Sequence, residues 1–383
     1  MIWTDFRTLG ALLATLLHPR RLFRRHTLLM VPLVVGLFLI VQTLWLTQVL
    51  DHVLFPRRMR HRGPAPVFIV SNPRSGTTLL HRLMATDRER FVTMALWHTM
   101  VPSITGIRFI QVLARLDAAV GGPLRWLLHR VERASFGGWD GVHNMGFERT
   151  EEDEAMFYAT ATTASLGLTW PTPPVIERLA LVDELPDAWR RRLMAAYRDR
   201  TERFLSTQQP GATYLCKNVF ASGRVRSLAE TWPDARFIYI VRDPMEALPS
   251  FCKMFIMPWR IVSPDIPADS DEARMFARIG VAFYRHLHRA QQALGSDRMQ
   301  TVRYEDLVRD PVGTVTGIYA RWGWPVTPAL RAALEEAATL RQGYESRHTY
   351  SLEEFGLDPA TLRAELGEVC EAWGFDTAPG DAA

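Results

Sequence analysis

Two spacings of apolar residues alternate along most of this chain. Short β-branched and aromatic runs that end at polar or proline corners predict buried strands. These are Val67–Val70 before Asn72-Pro73, Thr213–Lys217, Arg236–Val241 before Arg242-Asp243-Pro244, and the start of Val302–Leu307. Longer stretches with the 3.6-residue period predict helices. Thr77, Thr78, Leu79, Leu80, Leu83 and Met84 open one directly after the first strand. Ala247, Leu248, Phe251 and Phe255 mark another, with Pro244 suited to its first turn and Pro249 expected to kink it. Further helices are expected over Val101–Leu116, Pro123–Arg133 and the charged stretch Pro186–Ser206. Another is expected over Ala155–Ala164, behind a Thr150/Asp153 pair spaced as a capping box. Gly137–Gly146 reads as a loop. Strands alternating with helices imply an α/β fold: a three-layer, P-loop-like arrangement around a central parallel sheet, with a helical insertion over about 100–209. Ligands of such sheets bind at the carboxyl ends of the strands.

The N-terminal region follows neither pattern. Leu28–Leu50 runs 23 residues without a charge, long enough to cross a bilayer with some tilt and too long for a signal-peptide core. Pro32 is tolerable in a membrane helix. Ile2–Leu17 is amphipathic through Trp3, Phe6, Leu9, Leu12, Leu13 and Leu16 and suits a membrane interface. Arg20, Arg21, Arg24 and Arg25 precede the apolar run, and Arg57, Arg58, Arg60 and Arg62 follow it. Basic flanks on both sides leave two readings open, a single membrane-spanning helix or a re-entrant anchor. The expected organisation is a basic amphipathic segment (1–27), a membrane anchor (28–50), a basic linker (51–65), a catalytic domain (66–376) and a tail (377–383).

Charge placement sharpens this picture. The 383-residue chain has 45 basic and 41 acidic residues, net +4. Before Gly63, nine arginines stand against Asp5 and Asp51, a balance of +7 that leaves −3 for the remainder. The basic excess belongs to the N-terminal segment and points to acidic lipid rather than nucleic acid. Cys216, Cys252 and Cys370 have neither a paired framework nor C-x-x-C spacing, so neither a disulfide scaffold nor a zinc site is indicated. Lys217 and Lys253 are the only lysines, which singles out Lys217 at its strand end.

The corner after the first strand carries the chemistry. A strand feeding a polar loop that opens a helix presents backbone N–H groups and the positive helix end to an anion. Arg74 adds a charge, and Ser75, Thr77 and Thr78 add hydroxyls around Gly76. It is not a Walker A loop, because Thr77 occupies the lysine position and no glycine stands five residues before Gly76. The alternative is an ordinary strand–turn–helix with a polar corner.

The string P-R-S-G-T-T resembles the 5′-phosphosulfate loop of sulfotransferases that use 3′-phosphoadenosine 5′-phosphosulfate (PAPS), in the bacterial branch related to tyrosylprotein sulfotransferases. Arg242 and Ser250 match that family's 3′-phosphate motif, an arginine after a strand with a serine about eight residues on. Thr213–Lys217 resembles its L-L-K-S-P segment, though Asn218-Val219 replaces Ser-Pro. Val302–Leu307 resembles the Y-E-D-L element, which places Tyr304 near the nucleotide, and Tyr350–Leu357 resembles a C-terminal segment of the bacterial group. The resemblance spans roughly 66–376. It implies donor contacts at Arg74, Ser75, Gly76, Thr77, Thr78, Arg242, Ser250 and Tyr304, and a helical cap over the acceptor site.

The implied reaction is in-line attack of an acceptor hydroxyl on the sulfuryl group, with PAPS as co-substrate and no metal. Arg74 or Lys217 would stabilise the charge on the bridging oxygen. His98, in Leu96-Trp97-His98, stands where related enzymes carry a glutamate base. Its rivals are Glu148, Glu152, Asp153, Glu154 and His143, and a helix-capping role for His98 is the alternative. The anchor motivates a lipid or amphipathic hydroxylated acceptor. Donor synthesis in the bacterial cytoplasm would put the catalytic domain there, whereas a Golgi-bearing organism would suit a lumenal enzyme. Two other readings are a P-loop kinase or NTPase and a catalytically silent membrane scaffold. Trp139, Phe147, Phe157 and Trp170 are candidates to line an apolar pocket or to fill the core.

Overall fold

A computed structural model describes residues 3–18, 24–136, 150, 152–169, 171–262, 264, 266–267, 269–339 and 352–375. Five strands, β1 (Val67–Val70), β2 (Phe91–Val92), β3 (Thr213–Lys217), β4 (Arg236–Val241) and β5 (Met299–Arg303), form one sheet in the order β2-β3-β1-β4-β5. Every pairing is parallel, with Val67 in register with Leu215 on one side and Arg236 on the other. The chain leaves β1 toward the β2 edge and later returns to β4 on the opposite side. The carboxyl end of β1 is therefore the switch point at which open α/β sheets bind ligands.

Strand alternation builds the two faces. Phe68 and Val70 of β1, with Phe237, Tyr239 and Val241 of β4, pack on Leu193, Tyr197 and Phe204 of the helix Asp187–Leu205. Val67 and Ile69, with Ile238 and Ile240, pack on Leu80, Leu83 and Met84 of the helix Thr77–Met84 and on Val315 and Ile318 of Pro311–Arg321. Period-two strands buried on both faces give the expected three layers. Pro249 lies inside a helix, Pro244–Val262, that runs on past it.

Two local expectations change. Asp153 makes no cap, and the expected Ala155–Ala164 helix is a short one, Glu154–Tyr158, followed by a 3-10 turn at Ala164–Leu168. The break falls at Ala161, whose φ of 57° is left-handed. Thr150 instead bridges to Ala95, because the Asp153 carboxylate is drawn into the core by stronger partners. The charged stretch does form its helix, yet Arg190, Arg200 and Arg203 on it are buried.

The N-terminal apolar run is helical over Arg25–Trp45 and Thr47–Leu54 and lies along the body. His26 bonds the Thr169 carbonyl, Gln42 donates to the Ala159 carbonyl, and Trp45 donates to the Met100 carbonyl while Arg200 stacks on its ring. The helix Phe6–Leu16 is docked too: Trp189 donates to Asp5, and Leu12 is fully buried against the same cluster as Val34.

Candidate active site

The loop after β1 spans Ser71–Gly76 and leads into the helix Thr77–Met84. Its backbone turns through left-handed conformations at Arg74 (φ 69°) and Gly76 (φ 81°) before the helix starts at Thr77. Left-handed backbone at a non-glycine residue costs of order 1–2 kcal/mol and persists where the surroundings impose it. At Gly76 a Cβ would stand 3.0 Å from the Tyr304 ring, so the loop needs glycine there for space as well as for φ. The Ser75 hydroxyl and both amide atoms of Asn72 are buried and find no hydrogen-bond partner among the described residues. Unpaired buried polar atoms are costly, and two of the three, the Ser75 hydroxyl and the Asn72 Nδ2, are donors that fit a loop completed by an anionic ligand.

The residues anticipated on the second motif converge on this loop. Arg242 follows β4, the immediate neighbour of β1, and donates to the Arg74 carbonyl at 2.7 Å. Arg74 in turn donates to the Ser250 hydroxyl at 3.1 Å, one face of the helix Pro244–Val262. The Arg242 guanidinium lies 4.3 Å from the centre of the Tyr304 ring, and Tyr284 donates to the Arg242 carbonyl. Arg242 does not pair with Asp243, whose carboxylate accepts from the Met245 N–H; it pairs with the exposed Glu246 at 2.9 Å. Such an exposed pair is worth little.

Lys217 ends β3, the other neighbour of β1. Its ammonium donates to the Thr78 hydroxyl at 3.3 Å and pairs with Glu152 at 2.9 Å. Parallel pairing thus brings in from a neighbouring strand the cation that a Walker loop carries within itself. His81, one turn further along the loop helix, is held down at about 3 by burial and then by the Lys217 charge, so it stays neutral.

The acidic run divides by direction. Glu152 faces Lys217, and its side chain is partly exposed. Asp153 is buried and accepts from Tyr197, Tyr214, Cys216 and the Asn218 amide. Burial, then the Asp153 charge, pushes the Tyr197 and Tyr214 phenols and the Cys216 thiol up, so all three remain donors. Glu154 pairs with Arg224 and accepts from Asn218 and Thr163; burial pushes its carboxyl up and Arg224 opposes the shift. Asn218, at the point where the sequence departs from Lys-Ser-Pro, ties both carboxylates to the end of β3.

His98 is the third residue of the short helix Leu96–Met100, stacked on Trp97 and edge-on to Phe204. Its Nδ1 accepts the Ala95 N–H at 3.0 Å, and burial lowers its pKa to about 4. A neutral ring that accepts at Nδ1 carries its proton on Nε2. Phe157 is in the core. Glu148, His143, Trp139, Phe147, Trp170 and Tyr350 lie outside the described residues. In sequence Asn72 marks only the end of a strand, and the one signal for the Glu152–Lys217 pair is the isolated lysine at a strand end.

The chain and its fold are similar to known proteins. Residues 66–328 match the family model described as the sulfotransferase family. The omega-hydroxy-beta-dihydromenaquinone-9 sulfotransferases of Mycobacterium bovis and Mycobacterium tuberculosis are 26% identical over 336 residues, 85% of this chain and 79% of theirs. The fold is similar to that of sulfotransferase STF1 from Mycobacterium tuberculosis, with TM-score 0.70 and 20% identity over 94% of this chain and 91% of that one. It is also similar to sulfotransferase STF9 from Mycobacterium avium, with TM-score 0.68 and 20% identity over 85% and 81%.

Proposed function

The chain belongs to the sulfotransferase family, and from that premise we propose that it transfers a sulfuryl group from PAPS to a hydroxyl of a membrane lipid. One observation carries the donor half of this reading. Two anion-binding motifs, far apart in sequence, are joined by the contacts Arg242 to Arg74 and Arg74 to Ser250, beside orphaned donors at Ser75 and Asn72. A nucleotide with phosphates at both ends of its ribose suits such a pair of cationic sites. The lipid half is supported by the long apolar helix Arg25–Leu54 and by relatives that act on a menaquinone derivative.

In this reading the 5′-phosphosulfate occupies the loop Arg74–Thr78 and the 3′-phosphate takes the place of Glu246 on Arg242 and Ser250. The acceptor oxygen attacks sulfur while the bond from sulfur to the phosphate oxygen breaks, and 3′-phosphoadenosine 5′-phosphate leaves with the electron pair. Arg74 and Lys217 stabilise the charge that builds on the departing oxygen. We assign the acceptor proton to Glu152 rather than His98. Glu152 is the carboxylate linked through Lys217 to Thr78, whereas the His98 lone pair is already used by Ala95.

Calorimetric binding of 3′-phosphoadenosine 5′-phosphate without magnesium tests the donor site. Tight binding by the wild type is expected, weakened roughly ten- to a hundredfold by Arg74→Ala and by Arg242→Ala. No binding by folded protein, with magnesium-dependent ATP binding in its place, would replace this reading by a P-loop kinase.

A further inference from the structure

Residues 104–136 form an apolar surface that the donor site does not use. The helix Ile104–Ala119 turns at Gly121-Gly122 into a second helix, Pro123–Phe136. Asp117 fixes the turn by accepting the Leu124 and Arg125 N–H groups. Beyond Ile107 this hairpin carries ten large apolar side chains that are each at least 37% exposed, among them Phe109 (66%), Leu116 (61%), Val120 (72%) and Leu127 (50%). An apolar patch of this extent on a folded protein marks an interaction surface.

The patch is continuous with a second one. Asp51, at the end of the N-terminal helices, caps the hairpin's first helix through the Ile104 and Thr105 N–H groups. Thr47 bonds Ser103 at 2.5 Å, and Arg108 lies over the Phe55 ring. Leu33, Leu39, Ile40, Leu50 and Leu54 continue the exposed apolar surface along the N-terminal helices. Those helices touch the body at His26, Gln42, Trp45 and Asp51, along nearly their whole length.

From these contacts we infer that the hairpin 104–136 and the outer face of Arg25–Leu54 form one surface that embeds in a single leaflet of an anionic lipid bilayer. Charge selects lipid over a second copy of the chain. Between 104 and 136 the sequence has five arginines against two acids, Asp117 and Glu132, so two copies would bring positive surface onto positive surface. Anionic headgroups would neutralise it. Arg115 and Arg125, on either side of the turn, make passage of the hairpin through the hydrocarbon costly and favour an interfacial position. The placement also serves the acceptor. The hairpin grows from the helix Leu96–Met100, which packs on Glu154–Tyr158, the helix that follows Glu152. This inference deepens the lipid-acceptor reading and fails separately from the donor site.

The test uses the full chain carrying Leu116→Cys or Leu127→Cys with a nitroxide; the three native cysteines are buried. The labelled protein is transferred from detergent to vesicles of phosphatidylcholine, with and without phosphatidylglycerol. Power saturation should place both labels among acyl chains, with the bound fraction rising at least tenfold with phosphatidylglycerol at low salt and falling with added salt. A Leu116→Glu/Leu127→Glu variant of native circular dichroism should lose vesicle binding roughly tenfold or more. Labels that stay aqueous while the protein floats with vesicles would overturn the inference. So would labels buried in lipid-free protein in proportion to its concentration, which would mark a contact between copies. Calorimetric binding of 3′-phosphoadenosine 5′-phosphate, measured on the same samples, reports the donor site independently of either result.

Discussion

The Nδ1 of His98 accepts the Ala95 N–H, and burial holds the imidazole at about 4 against an ordinary 6.5. The folded state therefore leaves His98 unprotonated where the unfolded chain takes up a proton. Stability contributed this way is complete above pH 6.5 and is lost progressively as pH falls toward 4. His98→Gln keeps an acceptor for the cap without the titration. Its Tm should match the wild type near pH 7 and fall less steeply toward pH 4.5, a difference on the order of 2 kcal/mol in favour of the variant. Turnover should stay within a few-fold of the wild type, whereas Glu152→Gln should lose about 10²–10⁴-fold in kcat with 3′-phosphoadenosine 5′-phosphate binding retained. Equal losses in both variants, with that binding intact, would return the proton to His98.

Asp51 shows how elements far apart in sequence are held together. It is fully buried, pairs with Arg203 from the helix Asp187–Leu205, and caps Ile104–Ala119 at the same time. Removing one partner of a buried pair strands the other charge, which costs about 3–5 kcal/mol. Asp51→Ala should lower stability by that order and speed amide exchange selectively at residues 104–107; protection unchanged there would show that the cap does not hold the hairpin. No sequence pattern announces this contact, because Asp51 reads as one acid in a basic linker. What sequence does disclose is local. The strands, the loop Arg74–Thr78 and the Arg242/Ser250 motif each lie within one stretch of chain, where period and corner residues are visible. The junction of Arg242 with Arg74, the reach of Lys217 from β3 and the inward turn of Asp153 depend on strand order, which hydrophobic period leaves open.

The inferred membrane placement of the whole molecule rests on where its apolar helix is tied. His26 and Asp51 are 25 residues apart, about 37 Å along a helix, and both bond the same folded body. A spanning helix would separate those ends by the hydrocarbon thickness, and the polar body cannot follow one of them across. The docked helix Phe6–Leu16 adds a third tie, with Asp5 bonded to Trp189 and Leu12 in the core. Both ends of the described chain should therefore stand on one side of the membrane. Ala14→Cys and Ala364→Cys, both exposed, test this with a membrane-impermeant maleimide applied to intact cells and to inverted vesicles. The two positions should react in one preparation and be shielded in the other. Reaction of Ala14→Cys from the side opposite Ala364→Cys would require the helix to leave the body and cross, breaking the His26, Gln42 and Trp45 contacts. The positive-inside rule is silent on a chain with arginines on both flanks, and a one-sided placement removes the conflict, since both flanks then meet the same anionic leaflet.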